Sequence, residues 1–348
     1  MSYANDVENP VGLDGIEFLE FATPDPAKLE KVFFSFGFSK IGQHKSKNVQ
    51  LYRQGDINFV INNEANSFAY DFKTKHGSSI CAMALRTKIP AEKALEIAVS
   101  RGARKYENQQ GDAGNFPAIY GIGDCVVYFI DQYSDKTYSK DFEYTGPKEV
   151  KGYGFTVIDH MTNNVPKNQM DQWCEFYENV FNFKEKRYFD IKGKKTGLIS
   201  KVMVSPCGKF SIPINEPTDD KSQIQEYIEE YKGSGIQHVA LLTDKIIPSV
   251  SSVQKNGVDF LDAPDTYYGM LDSRGLGYVK EDVNQLKDLS ILVDGDEKGY
   301  LLQIFTKNLC GPIFFEVIDR KGHDGFGDGN FQALFDAIEK DQQVRGVL

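Results

Sequence analysis

The sequence predicts an α+β protein made of repeated β-α-β-β-β units in two tandem modules, residues 1–150 and 151–348. Three observations carry that expectation. Four apolar strings of strand character recur in the same order in both halves, and helical stripes recur in step with them. The 348-residue length also suits two domains of ordinary size.

Taken in order, GIEFLEF at 15–21 reads as a strand and TPDP at 23–26 as a Pro-marked turn. Leu29, Val32, Phe33 and Phe36 then mark one face of a helix that ends at Gly37. The second half repeats this with the strand FTVIDHM at 155–161, the turn NNVPKN, and a stripe of Met170, Trp173, Tyr177 and Val180. INFVINNE at 57–64 is matched by KFSIPINE at 209–216, and GSSICAMAL at 77–85 by GSGIQHVAL at 233–241. A helix from about Pro90 to Gly102 is matched by one from about Pro248 to Gly257, and VYFID at 127–131 by FEVID at 315–319. Each half therefore reads as two β-α-β-β-β units. The offset between matched positions grows from 142 (Phe18 to His160) through 156 (Ala82 to His238) to 188 (Tyr128 to Glu316), so insertions fall in the second half, chiefly around 262–295. TGPKEVKGYG at 145–154 is the expected linker.

Composition excludes several classes of function. A net charge of −10 without a basic block makes a poor nucleic-acid binder. No apolar run approaches the roughly 18 residues of a membrane span, and Met1 to Pro10 is too polar for a secretory signal. The five cysteines are scattered and form no C-x-x-C, which argues against a disulfide scaffold or a cysteine zinc site and for a reducing compartment.

Where the first half has Phe18, Ala82 and Tyr128, the second has His160, His238 and Glu316. All three lie within apolar strand patterns, V-I-D-H-M, I-Q-H-V-A and F-F-E-V-I. A carboxylate there is expensive to bury unless a cation or a partner such as Arg320 meets it. Two His and one carboxylate on neighbouring strands of a curved sheet make a facial triad with open coordination positions. The ligand types suit Zn(II), Fe(II), Mn(II) or Co(II), and spacing does not choose among them. His44 and His76 sit in Lys-rich polar stretches and are expected at the surface.

Around this triad the second half carries Ser200, Asn215, Gln223, Gln237 and Gln303, with Phe305, Phe314, Phe326 and Phe331 late in the chain. Neutral amides and aromatic walls favour an aromatic substrate with polar ends. Adjacent strand residues face opposite ways, so Gln237 and His238 cannot both point inward without a bulge. GFGDGNF at 325–331 lacks the order of a phosphate-binding glycine motif. It leads into a stripe of Phe331, Leu334, Phe335 and Ile338, read either as core packing or as a lid helix over the site.

GIQHVAL, PINEP with KSQIQ, KGYLLQIFTK, FFEVIDRKG and GFGDGNFQALF together resemble the 4-hydroxyphenylpyruvate dioxygenase family, over nearly the whole chain and most strongly from about 155 to 340. The resemblance implies the vicinal-oxygen-chelate fold, in which two tandem modules form curved open sheets and only the C-terminal one holds Fe(II), one per subunit. It implies His160, His238 and Glu316 as iron ligands. Ser200, Asn215, Gln223, Gln237, Gln303, Phe305, Phe314, Phe326 and Phe331 become substrate contacts, with Asn215 and Gln223 assisting catalysis. The implied reaction takes 4-hydroxyphenylpyruvate and O2 to homogentisate and CO2 in tyrosine catabolism, in a cytoplasmic homo-oligomer, dimer or tetramer. The 2-oxo acid oxidised is the substrate's own side chain, so no separate one is required. Hydroxymandelate synthase, with the same triad and substrate, and a metal-free binding module of the same fold are the competing readings.

Overall fold

A computed structural model of the chain describes residues 8–133, 135–192, 195–327, 329–330, 332, 342–343 and 346. The first sheet contains β1 (Leu13–Ala22), β2 (Ser39–His44), β3 (Val49–Gln54), β4 (Ile57–Asn62), β5 (Ser79–Thr87), β6 (Lys105–Tyr106), β7 (Ala118–Tyr120), β8 (Val126–Ile130) and β9 (Phe142–Tyr144). The second contains β10 (Phe155–Asn164), β11 (Lys184–Lys192), β12 (Gly197–Val204), β13 (Ser211–Pro217), β14 (Gly235–Thr243), β15 (Leu292–Asp296), β16 (Gly299–Phe305) and β17 (Phe314–Lys321). The duplication is written in their order. The first sheet runs β6-β7-β8-β5-β1-β4-β3-β2-β9, and the second, read from its far edge, runs β15-β16-β17-β14-β10-β13-β12-β11. The two orders correspond strand for strand, apart from the added edge strand β9.

The match extends to irregularities. Register shifts between β1 and β5 fall at Leu13/Ile16, Ile16/Phe18 and Glu20/Phe21, and those between β10 and β14 fall at Phe155/Ile158, Ile158/His160 and Thr162/Asn163. Each pair of positions keeps the 142-residue offset read from the strands alone. Bulges bend a strand and re-aim side chains, so these shared bulges set where each sheet curves.

Of the helices, Pro26–Ser35 and Met170–Phe181 follow the first strand of each half, as the stripes predict, and Ala91–Ser100 and Ile246–Lys255 match the other expected pair. The helices Phe68–His76 and Gln223–Tyr231 were not legible from apolar spacing. Both begin at a serine N-cap: Ser67 accepts from the Tyr70 N–H and Ser222 from the Gln225 N–H. Their ends meet, and this buries a histidine expected at the surface. The His76 ring stacks on Tyr231 at 4.6 Å and its Nδ1 lies 2.6 Å from the Tyr231 carbonyl. His44 is buried as well, its ring edge-on to Phe142.

One apolar core runs through both halves, with Phe36 packing on Phe155 and Phe315, and Phe59 on Phe315. The approach is close at Gly55, where φ is +57° and an added Cβ would lie 2.4 Å from the Phe155 carbonyl oxygen; only glycine fits there. Among the described residues no helix is long and apolar enough to cross a membrane.

Candidate metal centre

His160, His238 and Glu316 stand on β10, β14 and β17, which are neighbours in the sheet. Ala240 of β14 pairs with His160 on one side and Glu316 on the other. His238, two residues earlier, shares the face of Ala240. The methyl of Ala240 leaves room between the flanking strands, and the three long side chains converge over it. The His160 Nε2 and Glu316 Oε2 atoms lie 3.1 Å apart, His238 Nε2 and Glu316 Oε2 3.4 Å, and the two Nε2 atoms 3.3 Å. Donors about 2.0–2.2 Å from a shared cation sit about 3–3.4 Å apart in octahedral or tetrahedral arrangements, so this donor triangle fits a divalent metal. All three residues are buried.

Their protonation states follow from what each touches. Burial pushes the His160 imidazolium down in pKa, but the Glu316 carboxylate and the Asp159 hydrogen bond outweigh it and raise the group to about 9. Burial pushes Glu316 up, and His160 and His238 pull it down to about 2. Burial holds His238 below its ordinary value, so it is neutral at pH 7. Without metal, a His160–Glu316 ion pair therefore fills the site. The stabilisation on the His160 side is full below pH 6.5 and is lost as pH rises through about 9. On the Glu316 side it is full above pH 4.5 and is lost as pH falls through about 2. A metal must displace the His160 proton. Calorimetry of Co(II) binding at pH 7 in buffers of different ionisation enthalpy should report about one proton released. Affinity should rise about tenfold per pH unit up to about pH 9 and then level off. Binding without proton release would mean that His160 is not a ligand.

The same cavity takes side chains from seven consecutive strands. Phe189 of β11, Ser200 and Val202 of β12, and Pro213 and Asn215 of β13 form one wall; His160 and Thr162 of β10 and His238 of β14 form its floor. Glu316 of β17 and Gln303 and Phe305 of β16 close the far side, and Phe326 completes the lining. Strands at opposite ends of the sheet order can share a cavity only if the sheet curls into a cup. In the first sheet the corresponding cup is filled: Phe18, Ala82 and Tyr128 pack there with Phe116 and Tyr138.

Hydrogen bonds fix most of the polar lining. Gln303 Nε2 donates to Glu316 Oε1 at 2.8 Å, and its Oε1 accepts from Asn330 Nδ2 at 3.0 Å. Thr162 Oγ1 lies 2.9 Å from His238 Nε2, and Phe314 stacks on the His238 ring at 4.8 Å; both residues pair with His238 across the sheet. Ser200 and Asn215 are also cross-strand partners. Asn215 Nδ2 donates to Asn164, while Ser200 Oγ and Asn215 Oδ1 are buried without a partner among the described residues.

Of the substrate contacts suggested by the sequence, the cavity unites Ser200, Asn215, Gln303, Phe305 and Phe326 with the triad. Gln223 and Gln237 do not line this cavity; they line another cleft together with Phe314, whose ring stacks on His238. Phe331 and most of the expected lid helix lie outside the described residues. Arg320 does not pair with Glu316; it makes two 2.7 Å bonds to Asp159. Thr162 was missed by the sequence reading although it follows His160 by two and must share its face. Phe189, Val202 and Pro213 carried no signal, because each looks like ordinary strand filling.

Two curved open sheets in tandem, one packed solid and one holding a His-His-Glu triangle, define a metal-binding protein of the glyoxalase and dioxygenase type. Residues 157–284 match the model of the Glyoxalase/Bleomycin resistance protein/Dioxygenase superfamily, and residues 7–145 that of hydroxyphenylpyruvate dioxygenase, N-terminal. The chain is 47% identical to 4-hydroxyphenylpyruvate dioxygenase of Legionella pneumophila, covering 98% of each chain. It is 49% identical to a protein named Hemolysin VllY from Vibrio vulnificus, covering 99% of each. A mutant of 4-hydroxymandelate synthase from Streptomyces coelicolor superposes with a TM-score of 0.81 at 25% identity, over 95% of this chain and 99% of that one. The chain belongs to the 4-hydroxyphenylpyruvate dioxygenase family.

Proposed function

We propose that the chain converts 4-hydroxyphenylpyruvate and O2 to homogentisate and CO2 at one Fe(II) held by His160, His238 and Glu316. The observation that carries this is the donor triangle set in a cup whose remaining walls are aromatic rings and neutral polar groups. Fe(II) with two neutral imidazoles and one carboxylate has a net charge of about +1, which favours an anionic 2-oxo acid as its partner. When bound, the metal supplies a chelating centre for that 2-oxo acid and the site of O2 activation. The protein's residues do the positioning. Phe305 and Phe326 flank the ring. Ser200 Oγ and Asn215 Oδ1, buried and unpartnered among the described residues, offer a donor and an acceptor, respectively, to a phenol hydroxyl. Gln223 and Gln237 contribute further polar contacts from the cleft that Phe314 lines. In this reading residues 1–150 are a structural module and 151–348 the catalytic one. Five unpaired cysteines, four of them buried, suit a reducing compartment such as the cytoplasm.

Anaerobic loading with Fe(II), then 4-hydroxyphenylpyruvate and O2, tests the proposal. Homogentisate is the expected product. 4-Hydroxymandelate would reassign the chain to hydroxymandelate synthase chemistry, and failure to bind or use iron would favour a metal-free binding module. Asn215→Leu should lower kcat/KM for homogentisate formation by roughly 5–150-fold, the equivalent of about 1–3 kcal/mol for one buried hydrogen bond. An unchanged rate and product would remove Asn215 from the pocket.

A further inference from the structure

We infer that Arg320 is a positioning residue which, through Asp159, locks the His160 ring to the backbone segment that closes over it. This rests on the reading of His160, His238 and Glu316 as a metal site. Arg320 lies on β17, four residues beyond Glu316. Its Nε and one Nη donate to the two oxygens of Asp159, each at 2.7 Å. Asp159 Oδ2 accepts from His160 Nδ1 at 2.8 Å. Neighbouring strand residues ordinarily point apart, and the bulge between Ile158 and His160 is what lets them meet. The other Nη of Arg320 donates to the carbonyls of Gly325 at 2.6 Å and His323 at 3.3 Å. The guanidinium also sits 5.5 Å from the Phe326 ring centre, and Phe326 meets the His160 ring edge-on at 5.5 Å.

These contacts form a closed circuit from His160 through Asp159, Arg320 and the 323–326 segment back to His160. Asp159 fixes Nδ1 of His160 as the protonated nitrogen, so that Nε2 points its lone pair at the metal position. Only the planar, five-donor guanidinium can grip a carboxylate and two carbonyls at once. His238 has no such brace among the described residues, where its Nδ1 is buried without a partner. The first half shows the contrast. Glu17 stands where Asp159 does, one residue before Phe18, but its partner Arg86 comes from β5 and binds Asp56 rather than a closing segment. The circuit therefore occurs in the half that has a metal triangle to close.

The inference separates from simple charge balance. Removing Arg320 leaves Asp159 as an extra negative charge near the cation, which by itself favours metal binding. A positioning role requires the opposite. Metal-free protein should be titrated with Co(II) against a chelator, with visible spectra recorded and amide hydrogen exchange followed across residues 322–327. Arg320→Gln and Asp159→Asn should each weaken Co(II) binding by about 10–100-fold and alter its spectrum. Both should speed exchange of the 322–327 amides in the metal-free protein, and the double variant should be no worse than the more severe single one. Arg320→Lys keeps the charge and supports folding, yet should show the same faster exchange. Unchanged or tighter Co(II) binding in Arg320→Gln, or unchanged exchange in Arg320→Lys, overturns the inference. If the wild-type protein binds no Co(II), the metal reading fails and the His160 half of the circuit with it. In that event the exchange arm still decides whether Arg320 holds the closing segment.

Discussion

Replacing His238 by alanine will abolish turnover and metal retention while the fold persists. Two donors remain in that variant, His160 and Glu316, and they already pair with each other at 3.1 Å. Metal must then break an ion pair to gain only two protein ligands. The loss should exceed the roughly 10–100-fold that follows removal of a group merely supporting a ligand. The protein itself supplies evidence that the strand tolerates the change. β5 carries Ala82 where β14 carries His238, and both strands make the same parallel and antiparallel pairings. The stacking contact with Phe314 is lost, so a cost of about 1–3 kcal/mol in stability is expected, within the ordinary range for a single substitution. Thermal unfolding, metal content after dialysis and homogentisate formation measured together check this. A folded His238→Ala protein that keeps its metal and its rate would dismantle the ligand assignment.

What could be read in advance, and what could not, follows from how far apart the interacting residues lie. The strands of the duplicated unit are local patterns, and the triad was visible because polar residues interrupt those patterns at matched positions. The reason the three meet was not visible. It depends on Ala240 pairing with His160 and Glu316 at once, and strand register between residues 80 and 76 apart leaves no mark on sequence spacing. Burial of His76 against Tyr231 is likewise a contact across 155 residues, and local polarity pointed the other way. Arg320 could be read as a partner for Glu316, and Asp159 carried no expectation of its own. Their mutual pairing was hidden because it relies on a bulge that breaks the alternation from which faces are inferred. Gln223 could be recognised as polar, but not placed, while its helix was unknown.

Gly327→Ala should cripple the metal site more than the fold. Gly327 has φ of +71°, and a Cβ there would sit 2.1 Å from Gln303 Oε1, 3.1 Å from its Cδ and 3.2 Å from Asn330 Cβ. A flexible side chain could ordinarily swing away. Gln303 cannot do so freely, because its amide is held at both ends, by Glu316 Oε1 and Asn330 Nδ2. Displacing it takes a hydrogen bond from a buried carboxylate, at a cost of about 1–3 kcal/mol, and frees Glu316 to rotate away from the two imidazoles. Left-handed backbone strain adds roughly 1–2 kcal/mol in any non-glycine residue. The two contributions can be separated, since Gly208 has nearly the same φ, +68°, with nothing among the described residues within 4 Å of its added Cβ. Gly208→Ala should carry the strain alone and leave metal affinity and turnover as they are. Gly327→Ala should lose a similar amount of stability from strain, a further part from Gln303, and about 10–100-fold in metal affinity. If the two variants bind Co(II) equally well and differ only in melting temperature, Gln303 does not hold Glu316 in place for the metal. Its bond to the carboxylate would then serve the metal-free ion pair alone.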